Sequence, residues 1–300
     1  MQYAYEKFYK VFGMISVIFR FFTTIAIILL ISCNHFSGKV HLSEGDLSLY
    51  RAVHSSLKSF EGIKGAGDTH VLLYRNWEYS GLWSDLESWK VSQELFEKVC
   101  VDYWKVPQEN IKTIEHDRAG GLEFYLKNFN GRRLLIYFVS HQSSRSQIIL
   151  NNGAEYATER FAKLLNGLSA RTMLIFDTCH AELLKPKLKN DNVSVYYAAP
   201  AAKVAYDFRP KGQKPSLSEM SENTLKFIKA AWGIDVKSVS PFGFYMVKSL
   251  VEDSYEGFDV DALMKSIQAY NRKMQKIPGL GRYPQVLWDD RAGWGVVKLR

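Results

Sequence analysis

Cysteine is scarce in this chain. Only Cys33, Cys100 and Cys179 occur in 300 residues. That is too few for a disulfide-stapled scaffold or for a structural zinc site. Proline and glycine are also few, 8 and 20 residues, which excludes collagen-like and low-complexity chains. No internal repeat and no glycine-rich phosphate loop is visible. The histidines follow no metal-ligand spacing, so neither a catalytic zinc nor another cofactor is expected. What is plentiful is apolar: 47% of the residues are hydrophobic and 14% aromatic. A chain of this length and composition folds into one or two domains and is not disordered. Its 39 basic and 31 acidic residues give a net charge of +8, a weak pointer to an anionic partner.

Much of that pointer dissolves at the amino end. Residues 21–32 read FFTTIAIILLIS. As a helix these twelve residues span about 18 Å, short of a ~30 Å hydrocarbon core. Arg20 precedes the run, with Lys7 and Lys10 upstream. A basic region, a short apolar run and a small residue describe a secretory signal. Leu30-Ile31-Ser32-Cys33 resembles the lipobox of bacterial lipoproteins, which implies lipidation at Cys33. The alternative is an uncleaved anchor over roughly residues 11–33, with Arg20 snorkelling. Either way the rest of the chain is expected on the outer side of a bacterial membrane, in the cell envelope. Residues 33–300 then carry 36 basic and 30 acidic residues. A net +6 facing an envelope does not suggest a nucleic-acid partner.

Residues 1–32 thus read as a signal segment, and 33–69 as a tether followed by an amphipathic helix, Asp46–Phe60. From residue 70 short apolar runs alternate with amphipathic stretches. The spacing predicts strands at 70–76, 111–115, 132–141, 146–150, 171–179 and 193–199. It predicts helices at 84–104, 121–129, 154–168, 241–253 and 260–276, and a final strand at 295–299. The polar stretch 209–240 reads as an insertion. Wholly apolar strands alternating with helices argue for an α/β domain over 70–300, with a mostly parallel sheet covered on both faces.

Two of the apolar strands run into reactive side chains. LLIYFVS ends at His141, and TMLIFDT ends at Cys179. In an open parallel sheet, functional groups gather beyond the carboxyl ends of the strands. A thiol beside an imidazole can be activated as a nucleophile. The bland alternative is a buried cysteine and a hydrogen-bonded surface histidine. Cys100 falls on the apolar face of a predicted helix and reads as core, although a Cys100–Cys179 disulfide is conceivable in an oxidising compartment. His180 is a second imidazole, ranked below His141 because neighbours on a strand point to opposite faces.

YFVSHQ (137–142) and IFDTCHA (175–181) resemble the His and Cys strands of the caspase-like cysteine peptidases, and within them the legumain family, which includes the catalytic subunit of the GPI transamidase. RNWEY (75–79), KVPQENIKTI (105–114) and VYYAAPAAKVAYDF (195–208) are similar to further segments of that family in the same order. The resemblance spans about residues 70–250. It implies Cys179 as the nucleophile of an acyl-enzyme and His141 as its base. It implies the N–H groups of Gln142 and Cys179 as the oxyanion hole, and a peptide or protein as substrate. Asp177 would line the pocket for the residue before the scissile bond, unless it is a buried acid capping the next helix. Arg75 and Asn76, in the first loop, are further substrate-binding candidates. The chain departs from the family at Gln142, where glycine is usual. A degenerate member, kept as a binding or scaffold module, is the alternative this departure opens.

Overall fold

The computed structural model describes residues 62–63, 65–79, 83, 85–117, 120–205, 229, 239–252, 260–276 and 285–294. The signal segment, Cys33, the helix expected at 46–60, most of 209–240 and the strand expected at 295–299 lie outside them. Among the described residues no helix is long and apolar enough to cross a membrane.

A six-stranded sheet forms the centre. Its strands are β1 (Thr69–Arg75), β2 (Ile111–Glu115), β3 (Arg133–Val139), β7 (Arg171–Asp177), β8 (Val193–Tyr197) and β9 (Leu287–Asp289), in the order β2-β1-β3-β7-β8-β9. All neighbours run parallel except β8 and β9. The inner strands are the wholly apolar runs, buried on both faces as parallel strands are. The edge strand β2 is half exposed. Its sequence, IKTIE, mixes apolar and charged residues accordingly.

Alternate residues of each strand feed two cores. On one face Leu73, Tyr137, Ile175 and Tyr196 pack with α1 (Glu87–Lys98), α4 (Pro241–Glu252) and α5 (Val260–Gln275). On the other, Tyr74, Phe138, Phe176 and Tyr197 pack with α2 (Gly120–Asn128) and α3 (Thr158–Asn166). The expected α/β architecture, a mostly parallel sheet with helices on both sides, is what the chain forms. Cys100 is fully buried in the first core, and both Cys100 and Cys179 are free thiols.

Three local features differ from the expectation. The helix expected from residue 154 begins only at Thr158, because 155–157 form a strand, β6 (Glu155–Ala157). It pairs antiparallel with β5 (Gln147–Ile149) across a turn at 151–153. Gly153 there adopts φ 79°, a conformation open to glycine at little cost. The helix expected over 84–104 is α-helical only to Lys98, then widens into a π-helical turn, Val99–Tyr103. The third is β9, which the pattern did not announce. Trp288 on it donates its indole N–H to Asp261 at 2.8 Å, fastening the edge of the sheet to α5.

Helix α4 crosses α1 at a glycine. A methyl group added at Gly243 would sit 2.8 Å from the Ser92 Cβ, closer than packed carbons allow. At Gly167 the nearest atom would be 3.5 Å away, an ordinary contact. Gly243→Ala is therefore expected to destabilise the fold by about 1–3 kcal/mol through overpacking, and Gly167→Ala by far less. Urea unfolding midpoints of the two variants check this; equal midpoints would contradict the close crossing.

Candidate active site

The parallel pairing of β3 with β7 runs without offset from Arg133↔Arg171 to Val139↔Asp177. His141 and Cys179 each lie two residues beyond the last pair. They therefore leave the carboxyl edge of adjacent central strands, which run about 4.8 Å apart. The residues beside them are joined directly. Thr178 donates its hydroxyl hydrogen to Oε1 of Gln142 at 2.7 Å, and Nε2 of Gln142 donates to Thr158 at 3.1 Å. All three side chains are buried.

This accounts for glutamine where glycine is usual in the resembling family. Gln142 belongs to a short strand, β4 (His141–Gln142), paired antiparallel with β5. It is not among the residues with positive φ, so its backbone makes no demand for glycine. Ser143 donates to Gln147 at 2.8 Å. The alternation of an antiparallel ladder then turns the Gln142 N–H away from β5.

His141 is held by aromatic groups. Its ring centroid is 4.7 Å from Tyr79 and 4.9 Å from Trp83. Its backbone N–H donates to the Tyr79 hydroxyl at 2.9 Å. Tyr79 in turn donates to the Asn76 carbonyl at 2.6 Å and touches Ser140 Oγ at 3.1 Å. Neither Tyr79 nor Trp83 is among the expected site residues. Tyr79 closes the RNWEY segment read as family-like, which points to the loop after β1 and not to this residue.

Cys179 is half-buried, its Sγ 3.9 Å from the Ala205 carbonyl. Burial pushes its thiol up, a backbone hydrogen bond at Ala205 opposes this, and the charge of Asp177 adds to the rise. The site accordingly holds a thiol at rest, and attack requires a base to take its proton. His180 does not compete for that role. It sits outside the strand at φ 53°, its Nδ1 2.8 Å from the Ala201 carbonyl, and its N–H donates to Lys203. It fastens the loop after β8 beside the thiol.

Asp177 is buried on the α1/α4 face, where Tyr137 and Ser240 both donate to its Oδ2, at 3.0 and 3.2 Å. It lines a small cavity with Ala198, Ala205, Tyr245 and Asn271, of about 10 Å³. That is room for about one water, not for a substrate side chain. It caps no helix: its partners are the side chains of Tyr137, Ser240 and Trp89. Burial raises its carboxyl to about 6, with hydrogen bonds from Trp89, Tyr137 and Ser240 opposing.

The remaining substrate-binding candidates are not brought to the site as free groups. Arg75 is buried in ion pairs with Glu97 at 3.0 Å and Glu115 at 3.1 Å. Its place on the α1 face of β1 points it at the acid of that helix. Asn76 is wholly buried and its Nδ2 donates to the Ile149 carbonyl at 3.3 Å, tying β5 to the end of β1. Among the described residues, no group of three or more His, Cys, Asp or Glu is placed to hold a metal ion.

No protein-family model matches this sequence, and no curated protein matches it. Among solved structures the chain is similar to the crystal structure of caspase-1 from Spodoptera frugiperda. The TM-score is 0.45 at 9% identity, over 75% of this chain and 87% of that one. At that level the chemistry of the site rests on this chain's own residues.

The raised carboxyl sets a pH dependence. Between about pH 4 and 6 the folded state holds a proton on Asp177 that the unfolded chain has released. Stability therefore falls as pH rises through that window, and the full cost, about 3 kcal/mol for two units, is present above it. Asp177→Asn is expected to remove this slope and to be the more stable protein at pH 7.5. With the negative charge gone, the thiol should also alkylate at lower pH. Denaturation at pH 4.5 and 7.5, and iodoacetamide rates against pH, check both. A slope unchanged in the variant would refute the assignment.

Proposed function

We propose that this chain is a cysteine peptidase of caspase-like type working through Cys179 and His141. The observation that carries the reading is the Thr178–Gln142 hydrogen bond. It pins the strand end bearing the thiol to the one bearing the imidazole. As Sγ attacks the peptide carbonyl, its proton passes to His141 and an S–C bond forms. The oxyanion is met by the N–H groups of Gln142 and Cys179. The C–N bond then breaks, and the imidazolium returns the proton to the departing amine. Water, with His141 again as base, hydrolyses the thioester and restores the thiol. An amine in place of water gives transpeptidation, so a legumain-like endopeptidase and a transpeptidase share every step to the acyl-enzyme.

We place the enzyme at the bacterial envelope, tethered through a lipid on Cys33 or through the uncleaved apolar run. A second reading has support of its own. The cavity at Asp177 holds about one water and the thiol is pushed up. Both suit a chain that keeps the fold as a binding module without turnover.

A peptidyl probe bearing a thiol-reactive group separates the two. The peptidase reading expects labelling of the wild type and of Cys100→Ala, and none of Cys179→Ala. It expects at least a hundredfold slower labelling of His141→Ala, since loss of the base removes about 10²–10⁴-fold. Labelling at Cys100, or none, favours the binding module. For the tether, Cys33→Ala expressed in a bacterium should move from the membrane to the soluble fraction. Retention in the membrane points to the uncleaved anchor.

A further inference from the structure

Tyr79 makes two contacts with the candidate base and a third with the end of β1, each through a different part of the side chain. Its ring packs 4.7 Å from the imidazole of His141, tilted by 52°. Its hydroxyl oxygen accepts the N–H of His141 at 2.9 Å. Its hydroxyl hydrogen goes to the carbonyl of Asn76 at 2.6 Å, one residue past the end of β1. One phenol thus fixes both the backbone and the ring of His141, and ties β3 to β1 beyond the last strand pair. The phenol is itself fixed. It is nine-tenths buried, and its backbone N–H donates to Asp85 at 2.9 Å just before α1. Burial pushes its ionisation far up, so it stays a neutral hydroxyl at physiological pH, with one hydrogen to give and lone pairs to accept. The Trp83 indole lies near the imidazole as well.

We infer that Tyr79 is the positioning residue of His141, setting the place and aim of the imidazole toward Cys179 through its hydroxyl and ring. The inference rests on the peptidase reading of the dyad. Tyr79 touches neither substrate nor reacting atoms in this role. Misplacement of a catalytic group by about 1 Å costs up to ~10²-fold in rate. Since the change acts on the aim of the base and not on a group that touches substrate, the loss belongs in kcat and not in KM.

The experiment compares wild type, Tyr79→Phe and Tyr79→Leu on a peptidyl fluorogenic substrate across pH, with histidine NMR titration of the same proteins. Tyr79→Phe is expected to lower kcat by about 10- to 100-fold with KM within a factor of two to three, and to move the His141 titration midpoint. Tyr79→Leu, which also removes the ring, is expected to lose more. Asp85→Ala, an exposed change that frees the Tyr79 backbone, gives a smaller loss of the same kind and serves if the Tyr79 variants fail to fold. Folded variants with unchanged kcat, pH profile and His141 midpoint would overturn the positioning role. If the wild type shows no Cys179-dependent turnover, the peptidase reading falls. The His141 midpoint still decides whether Tyr79 sets the imidazole: a shift supports it and no shift overturns it.

Discussion

Everything at the site depends on the offset-free pairing of β3 with β7. Both strands are buried on both faces, so burial alone does not choose between their registers. Polar contacts at their carboxyl ends do. Tyr137 on β3 reaches Asp177 on β7 on one face, while Thr178 reaches Gln142 on the other. A slip of one residue would send Asp177 to the face of Phe138, Phe161 and Phe176, away from the Tyr137 and Ser240 hydroxyls that hold it. An unpaired buried carboxylate there would cost far more than the slip could return. The register that avoids this cost is the one that brings His141 and Cys179 out on neighbouring strands.

Buried polar groups at this edge are shared among elements. Gln93 on α1 donates to the carbonyls of Tyr74 and Tyr137, holding the helix to β1 and β3. Arg75 at the end of β1 is paired with Glu97 of the same helix. Ser140 and Asn76 meet on the Ile149 carbonyl, holding the hairpin of β4 and β5. Together these bonds make the carboxyl edge the polar seam of an otherwise apolar sheet. A nucleophile needs such a fixed frame around it.

The strands and the two reactive residues were legible in the sequence because they follow one-dimensional rules. Runs such as LLIYFV and TMLIF admit only an interior strand, and the residues that end them must surface together if the strands pair. What was not legible is what distant segments bring. Asp177 is met by Ser240, 63 residues later, and no local pattern announces that a hydroxyl will close over it. Arg75 looked like a group for substrate because its partners, Glu97 and Glu115, come from a helix and a strand not yet placed. Tyr79 was only the last residue of the RNWEY segment until the fold set it against His141. β9 was missed because three residues are too few to show a period.

The sequence distances in the site also govern when it comes into being. Tyr79 and His141 are 62 residues apart, and parallel neighbours cannot be joined by a tight turn. Each such closure spends chain entropy before any contact rewards it. The proposed pair of His141 and Cys179 consequently has no native counterpart in a chain that has not yet paired β3 with β7. It is also an early casualty of opening, since loss of any central strand separates its parts. On the proposed reading, peptide turnover at Cys179 would then report the integrity of the whole sheet, whereas simple alkylation, easier once the thiol is released from burial, would not.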